Sequence, residues 1–206
     1  MIDSQLNKIL KPTLTAIAKQ FIKLGVKANH VTFIGFFFGI CCLYLIIKSL
    51  FIYAIIFLFL NRFCDGLDGA IARIKGETDI GAFYDIILDF LFYSSFPIAF
   101  IFVDLNNSYS VCFLVLSFVG TQSTFLTTAW IIEKNKISIS EGQKKSFFYS
   151  GGITEGFETI ISFTMMLLFH EFFNYIAYLF GILCWITFLT RVIFVKNILN
   201  TKKTVN

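Results

Sequence analysis

Long apolar runs separated by short polar breaks dominate this chain. Runs near 31–47, 51–72, 80–103, 109–132, 149–169 and 172–195 each approach the roughly twenty residues that cross a hydrocarbon layer as a helix. No run alternates as a barrel strand does, and open strands cannot satisfy their backbone in lipid. The pattern predicts an all-α integral membrane protein with six transmembrane helices over 31–195. Ahead of them, Leu6, Ile9, Leu10, Leu14, Ile17, Ala18, Phe21 and Ile22 recur at helical spacing, with Lys8, Lys11, Lys19 and Lys23 between. Residues 3–24 therefore read as an N-terminal amphipathic helix on the membrane surface. No charged start leads into an apolar core and a small-residue cleavage site, so a signal peptide is not expected. Without repeats or low-complexity segments, 1–206 reads as a single membrane domain.

Composition sharpens this picture. Only 15% of the 206 residues are charged, against about 25% in soluble domains. Basic residues set the orientation: Lys27, Arg73, Lys75, Lys134, Lys136, Lys144, Lys145, Arg191, Lys196, Lys202 and Lys203 join the first four lysines on one side, leaving Lys48 outside and Arg62 within the second run. The positive-inside rule puts both termini in the cytoplasm. Lysines beside lipid head groups account for the net charge of +4, so no nucleic-acid partner is implied. The five cysteines show no ligand spacing and read as small buried hydrophobes. The many phenylalanines read as facing lipid.

Four aspartates break the second and third runs. Asp65 and Asp68 are three apart and Asp85 and Asp89 four apart, so each pair shares one helix face. The short polar segment 74–80 makes the two helices antiparallel neighbours, gathering the pairs at the cytoplasmic edge. Each carboxylate costs roughly 2.5–3.5 kcal/mol at the centre of a membrane helix, less near its ends, and like charges add repulsion. Bound divalent cations offset that cost and point to chemistry on a phosphate. Solvated acids on a loop would not explain Asp85 and Asp89, which lead an apolar run to Val103.

From Asp65 the order is D-x-x-D-G-x-x-A-R, a spacer, then G-x-x-x-D-x-x-x-D from Gly81. Eight fixed residues in this order resemble the signature of the CDP-alcohol phosphatidyltransferase family. The segments around Asn61–Tyr93 and Gly142–Thr159 resemble a small bacterial inner-membrane subgroup of unassigned acceptor. Seven residues separate Arg73 from Gly81, where many members have eight, and Ala28-Asn29-His30-Val31-Thr32 stands where members often have Pro-Asn-x-x-Thr. The resemblance implies two magnesium ions, with manganese as an alternative, held by Asp65, Asp68, Asp85 and Asp89, and Asp89 as general base. It implies that Asn29, His30, Val31, Thr32, Gly69, Arg73 and Thr78 hold the donor, CDP-diacylglycerol. A polar alcohol would be the acceptor, CMP the released product and a homodimer the assembly, with the site on the cytoplasmic side of a bacterial inner membrane.

Other features stay open. Lys144 and Lys145 could bind a phosphate on the acceptor, as in glycerol 3-phosphate, or serve only as topology signals. Glu155 could line the acceptor pocket or, with Glu158, pair with Lys144, Lys145 or Arg191. Thr121, Gln122, Ser123, Thr124, Thr127 and Thr128 read as helix-packing residues, and His170 as a solvated loop residue. Acidic pairs also mark ion paths, so a cation or proton transporter remains an alternative, as does a catalytically inactive family member.

Overall fold

The computed structural model describes residues 2–135, 152 and 154–203. Among these residues the regular structure is all helix, without a strand. The helices are α1 (Ile2–Lys23), α2 (Ala28–Ile47), α3 (Phe51–Lys75), α4 (Asp79–Ala99), α5 (Ser108–Lys134), α6 (Gly156–Leu168) and α7 (Phe173–Lys203). Four helical segments, 28–47, 79–99, 105–134 and 170–200, are long and apolar enough to cross a membrane. The expected second span, α3, has 25 residues, but Arg62, Asp65, Asp68 and Arg73 interrupt its apolar character. The expected fifth, α6, is apolar and only 13 residues long.

The chain separates into two compact units. One runs to Asn106 and takes in Leu167–His170; the other holds Asn107–Met166 and continues from Glu171.

In the first unit α2 packs against α3 and α4, and α1 against α3. Glycines let α2 come close. A Cβ at Gly35 would stand 2.8 Å from Cys64 Cβ, and one at Gly39 would stand 2.8 Å from the Phe92 ring. Small residues at four-residue spacing are how membrane helices gain contact when lipid offers no hydrophobic drive. The Asn61 amide donates to the Gly35 carbonyl across this seam at 2.8 Å, and it does so from a buried position.

The α1 stripe is spent partly on protein. Ala18 is fully buried with Val31, Cys64, Leu67, Ala70 and Ile71, and Leu14, Ile17, Phe21 and Ile22 pack around them.

The connection from α3 to α4 is shorter than the polar segment 74–80. α3 continues to Lys75, where Gly76 at φ +99° ends it in a backbone region that suits glycine. The Thr78 hydroxyl then accepts from the Gly81 N–H at 3.2 Å and caps α4. Three residues, Gly76, Glu77 and Thr78, thus reverse the chain.

Several phenylalanines are core rather than lipid-facing. Phe92, Phe96 and Phe100 are buried in the first unit and Phe163 and Phe173 in the second. Phe92, Phe96 and Phe100 pack successively, with ring centroids 6.1 and 5.8 Å apart; their i, i+4 spacing gives one helix face a stack that lipid never reaches. His170 is exposed, as a solvated loop residue would be, and its ring stacks on Phe51 with centroids 4.1 Å apart.

In the second unit, α5 packs on α7. The α5 hydroxyls turn inward on their own helix: Thr121, Thr124, Thr127 and Thr128 all donate to carbonyls three or four residues back. This satisfies a hydroxyl in lipid without a partner helix. Cys42, Cys64 and Cys184 are buried, whereas Cys112 is exposed.

Candidate active site

Antiparallel α3 and α4 bring the four aspartates to one recess. Asp65, Asp68, Asp85 and Asp89 line it with Thr32, Gly35, Phe36, Asn61, Arg62 and Leu88, around about 10 Å³ of free space. Beside it opens a larger cavity of about 590 Å³ that shares Thr32, Asp68 and Asp85 with the recess. Asn29, Gly69, Arg73, Thr78 and Gly81 also line the larger cavity.

The two ends of the recess differ. Asp68 is 5% exposed, and its Oδ2 is buried without a hydrogen-bond partner among the described residues. An unpaired buried carboxylate oxygen is costly and is the kind of group a cation satisfies. At the opposite end, the Arg62 guanidinium grips Asp89. Its two terminal nitrogens donate to Asp89 Oδ1 and Oδ2 at 2.7 and 3.2 Å. The same side chain donates to the Tyr93 hydroxyl at 2.6 Å and to Asn61 Oδ1 at 2.8 Å. It also lies 3.6 Å from Asp65 Oδ2. The Arg62 side chain is 12% exposed and that of Asp89 27%. Phe92 and Tyr93 flank the guanidinium, with ring centroids 5.7 and 5.0 Å from its central carbon.

Four carboxylates supply the hard oxygen donors that magnesium or manganese prefers, and the orphaned Asp68 oxygen points the same way. Among the described residues, however, no three acidic, histidine or cysteine groups already stand together as a ligand set. Arg62 gives a physical reason at the Asp89 end, where a cation is already bound. The donor chemistry fits divalent ions, and the ligand set would have to close around them.

The expected donor-binding residues divide. Asn29, Thr32, Gly69, Arg73 and Thr78 line the larger cavity; His30 and Val31 do not. Val31 is 3% exposed in the core beneath α1, so its side chain is committed to packing. His30 is exposed, and its N–H donates to the Lys27 carbonyl at 3.1 Å, within the first turn of α2. Arg73 folds back over Gly69, where a Cβ would meet its guanidinium nitrogen at 3.1 Å. A Cβ at Gly81 would stand 2.9 Å from Thr78 Oγ1 and 3.1 Å from Asn29 Oδ1, so this glycine keeps the cap and Asn29 together.

The family profile described as CDP-alcohol phosphatidyltransferase matches residues 26–193. This chain belongs to that family. It is 40% identical over 193 residues to the inner membrane protein YnjF of Escherichia coli strain K12, covering 93% of this chain and 94% of that protein. It is 31% identical over 195 residues to the archaetidylinositol phosphate synthase of Pyrococcus horikoshii, covering 92% and 94% of the two. The fold resembles the crystal structure of Mycobacterium tuberculosis phosphatidylinositol phosphate synthase (PgsA1) with CDP-DAG bound. That match has a TM-score of 0.65 at 19% identity, over 88% of this chain and 92% of that one.

Within this CDP-alcohol phosphatidyltransferase, the acceptor residues expected from sequence are less fully placed. Lys144 and Lys145 lie outside the described residues. Glu155, in the second unit, interacts electrostatically with Arg191, which also donates to the Thr121 carbonyl at 2.9 Å. Glu158 accepts from the Glu155 N–H at 3.1 Å, a capping role at the start of α6. Sequence reasoning missed Arg62 altogether as a site residue. The available signal was an arginine inside an apolar run, three residues before an aspartate, since a buried guanidinium requires an anionic partner.

Proposed function

We propose that this chain carries out metal-dependent transfer of a phosphatidyl group from CDP-diacylglycerol to a hydroxyl of a polar alcohol, releasing CMP. One observation carries the reading: an acidic recess opens, through Thr32, Asp68 and Asp85, onto a cavity large enough for a nucleotide and lined by Arg73, Asn29 and Thr78. Two magnesium ions, or manganese in their place, would be held by Asp65, Asp68, Asp85 and Asp89 and would neutralise charge on the pyrophosphate and on departing CMP.

The protein's own groups do the rest. Arg73 presents a planar fork to phosphate or cytosine oxygens, over a glycine that leaves the ligand room. Thr78, Asn29 and Thr32 hold the CDP portion. Asp89 takes the proton from the acceptor hydroxyl as its oxygen bonds to the lipid-bearing phosphorus and the bond to CMP breaks. Arg62 must release Asp89 for this, so the grip on Asp89 belongs to the resting site.

In the same reading six helices cross the inner membrane, α1 lies at its cytoplasmic face, the chain forms one functional domain and assembles as a homodimer. Both termini and the site face the cytoplasm, as the lysine distribution supports. The acceptor is a phosphorylated alcohol, supported by the name of the Pyrococcus relative. Purified protein in detergent, given CDP-diacylglycerol, magnesium and a panel of alcohols and their phosphates, is expected to release CMP with one acceptor class. No CMP with any acceptor, together with cation or proton flux in liposomes, would replace this reading with transport.

A further inference from the structure

Arg62 stands at the Asp89 end of the recess, yet phosphatidyl transfer as described gives it no task beyond releasing Asp89. It is also too heavily committed for an incidental ion pair. Both of its terminal nitrogens bond Asp89, a third contact reaches Tyr93, and Nε bonds Asn61, whose amide is itself fixed to the α2 backbone. The flanking rings of Phe92 and Tyr93 shield it from solvent. A guanidinium held by its partner carboxylate, a hydroxyl, an amide and two rings is well anchored, so its charge is part of the resting site.

We propose that Arg62 is a resident counter-cation that competes with divalent metal for the Asp89 end of the recess, making the two ions load in order and with unequal affinity. The inference rests on the metal-binding reading of the four aspartates given above. With Arg62 in place, four carboxylates are opposed by one positive charge, and the opposition is concentrated at Asp89 and, at 3.6 Å, Asp65. Asp68 Oδ2, without a hydrogen-bond partner among the described residues, is where the first ion gains most. An ion approaching Asp89 instead meets a positive charge a few ångströms away, in surroundings where charges are weakly screened. It must displace the fork or share the carboxylate with it. Arg62 is therefore a positioning residue that keeps Asp89 in register while metal-free, sustains the fold against unbalanced carboxylates, and delays loading of the second ion.

The sign of the metal effect separates this role from a structural one. Manganese titration of the EDTA-stripped full chain, followed by electron paramagnetic resonance, is expected to show two ions differing at least tenfold in affinity. Arg62→Met removes the charge and should tighten the weaker ion at least tenfold, whereas a residue that merely props up the site would weaken metal binding when removed. Arg62→Lys, retaining charge without the fork, should fall between the two. The same Arg62→Met protein should melt at lower temperature than wild type in EDTA and gain more from added manganese. If Arg62→Met does not fold, Tyr93→Phe, which removes one anchor of the guanidinium, should tighten the weaker ion about threefold. Unchanged or weakened manganese affinity in these variants, or two equally tight ions in wild type, overturns the proposal. Those outcomes leave phosphatidyl transfer standing if CMP is still released. Absence of manganese binding and of CMP release in wild type overturns the underlying reading instead.

Discussion

Asp68 and Asp89 share a recess and a side chain, yet their negative charge is settled in opposite ways. Asp89 is held from both oxygens by a guanidinium that the chain supplies itself. Asp68 is more deeply buried and keeps an oxygen without a hydrogen-bond partner among the described residues. The difference teaches that the acidic cluster is not four equivalent carboxylates. A buried carboxylate oxygen left without a partner destabilises a fold unless something else satisfies it.

The contrast can be broken most sharply at the chemistry. Asp68→Asn and Asp85→Asn should each reduce CMP release at least about 100-fold, the loss at a ligand exceeding that at a supporting residue; activity within tenfold of wild type would remove these carboxylates from the ligand set. A second effect runs the other way in stability. In EDTA, Asp89→Asn should destabilise by roughly 2 kcal/mol, less than a fully buried broken pair because Asp89 is partly exposed and Asp65 remains beside Arg62. Asp68→Asn should instead be neutral or stabilising without metal, since it removes a buried charge with one oxygen unpartnered among the described residues. Thermal melts of the two proteins in EDTA check the pair, and equal destabilisation would erase the distinction drawn between the ends.

Packing around the Asp89 end supplies a smaller test. Gly39→Ala places a methyl 2.8 Å from Phe92 and 3.4 Å from the Asn61 amide, which should cost about 1–3 kcal/mol by overpacking. It should also loosen Arg62 through Asn61. The smallest change belongs to the donor side: Gly69→Ala meets only the flexible end of Arg73. It should leave the melting temperature unchanged and raise KM for CDP-diacylglycerol several-fold with little change in kcat. A fall in kcat without a KM effect would detach Arg73 from donor binding.

Much of the site was readable from spacing. Carboxylates three and four residues apart on two apolar helices joined by a short break had to converge, because helix periodicity and a tight reversal leave little alternative. The motif from Asp65 to Asp89 likewise led to the family, and Asn29, Gly69, Arg73 and Thr78 line one cavity. What spacing could not give was pairing at long range. Arg62 meets Asp89 across 27 positions and Tyr93 across 31, contacts that depend on the register of α3 against α4. Hydropathy also could not tell a phenylalanine facing lipid from one inside the bundle, since both surroundings are apolar; Phe92, Phe96 and Phe100 were misread for that reason. Val31 was lost to the core because α1 covers that side of α2 and α3, which no local pattern announced. The reversal after α3 was longer in expectation than in fact, as polar residues continued the helix to Lys75.

The central claim is that these carboxylates work by gathering divalent cations around a CDP-linked donor. It is tested most directly by titrating manganese into the EDTA-stripped protein with CDP-diacylglycerol and acceptor present, measuring bound metal and released CMP in the same samples. CMP release that is absent in EDTA and rises with occupancy of the recess, in wild type and not in Asp68→Asn, is the predicted result. CMP release undiminished in EDTA, or metal occupancy unchanged in Asp68→Asn, would contradict it.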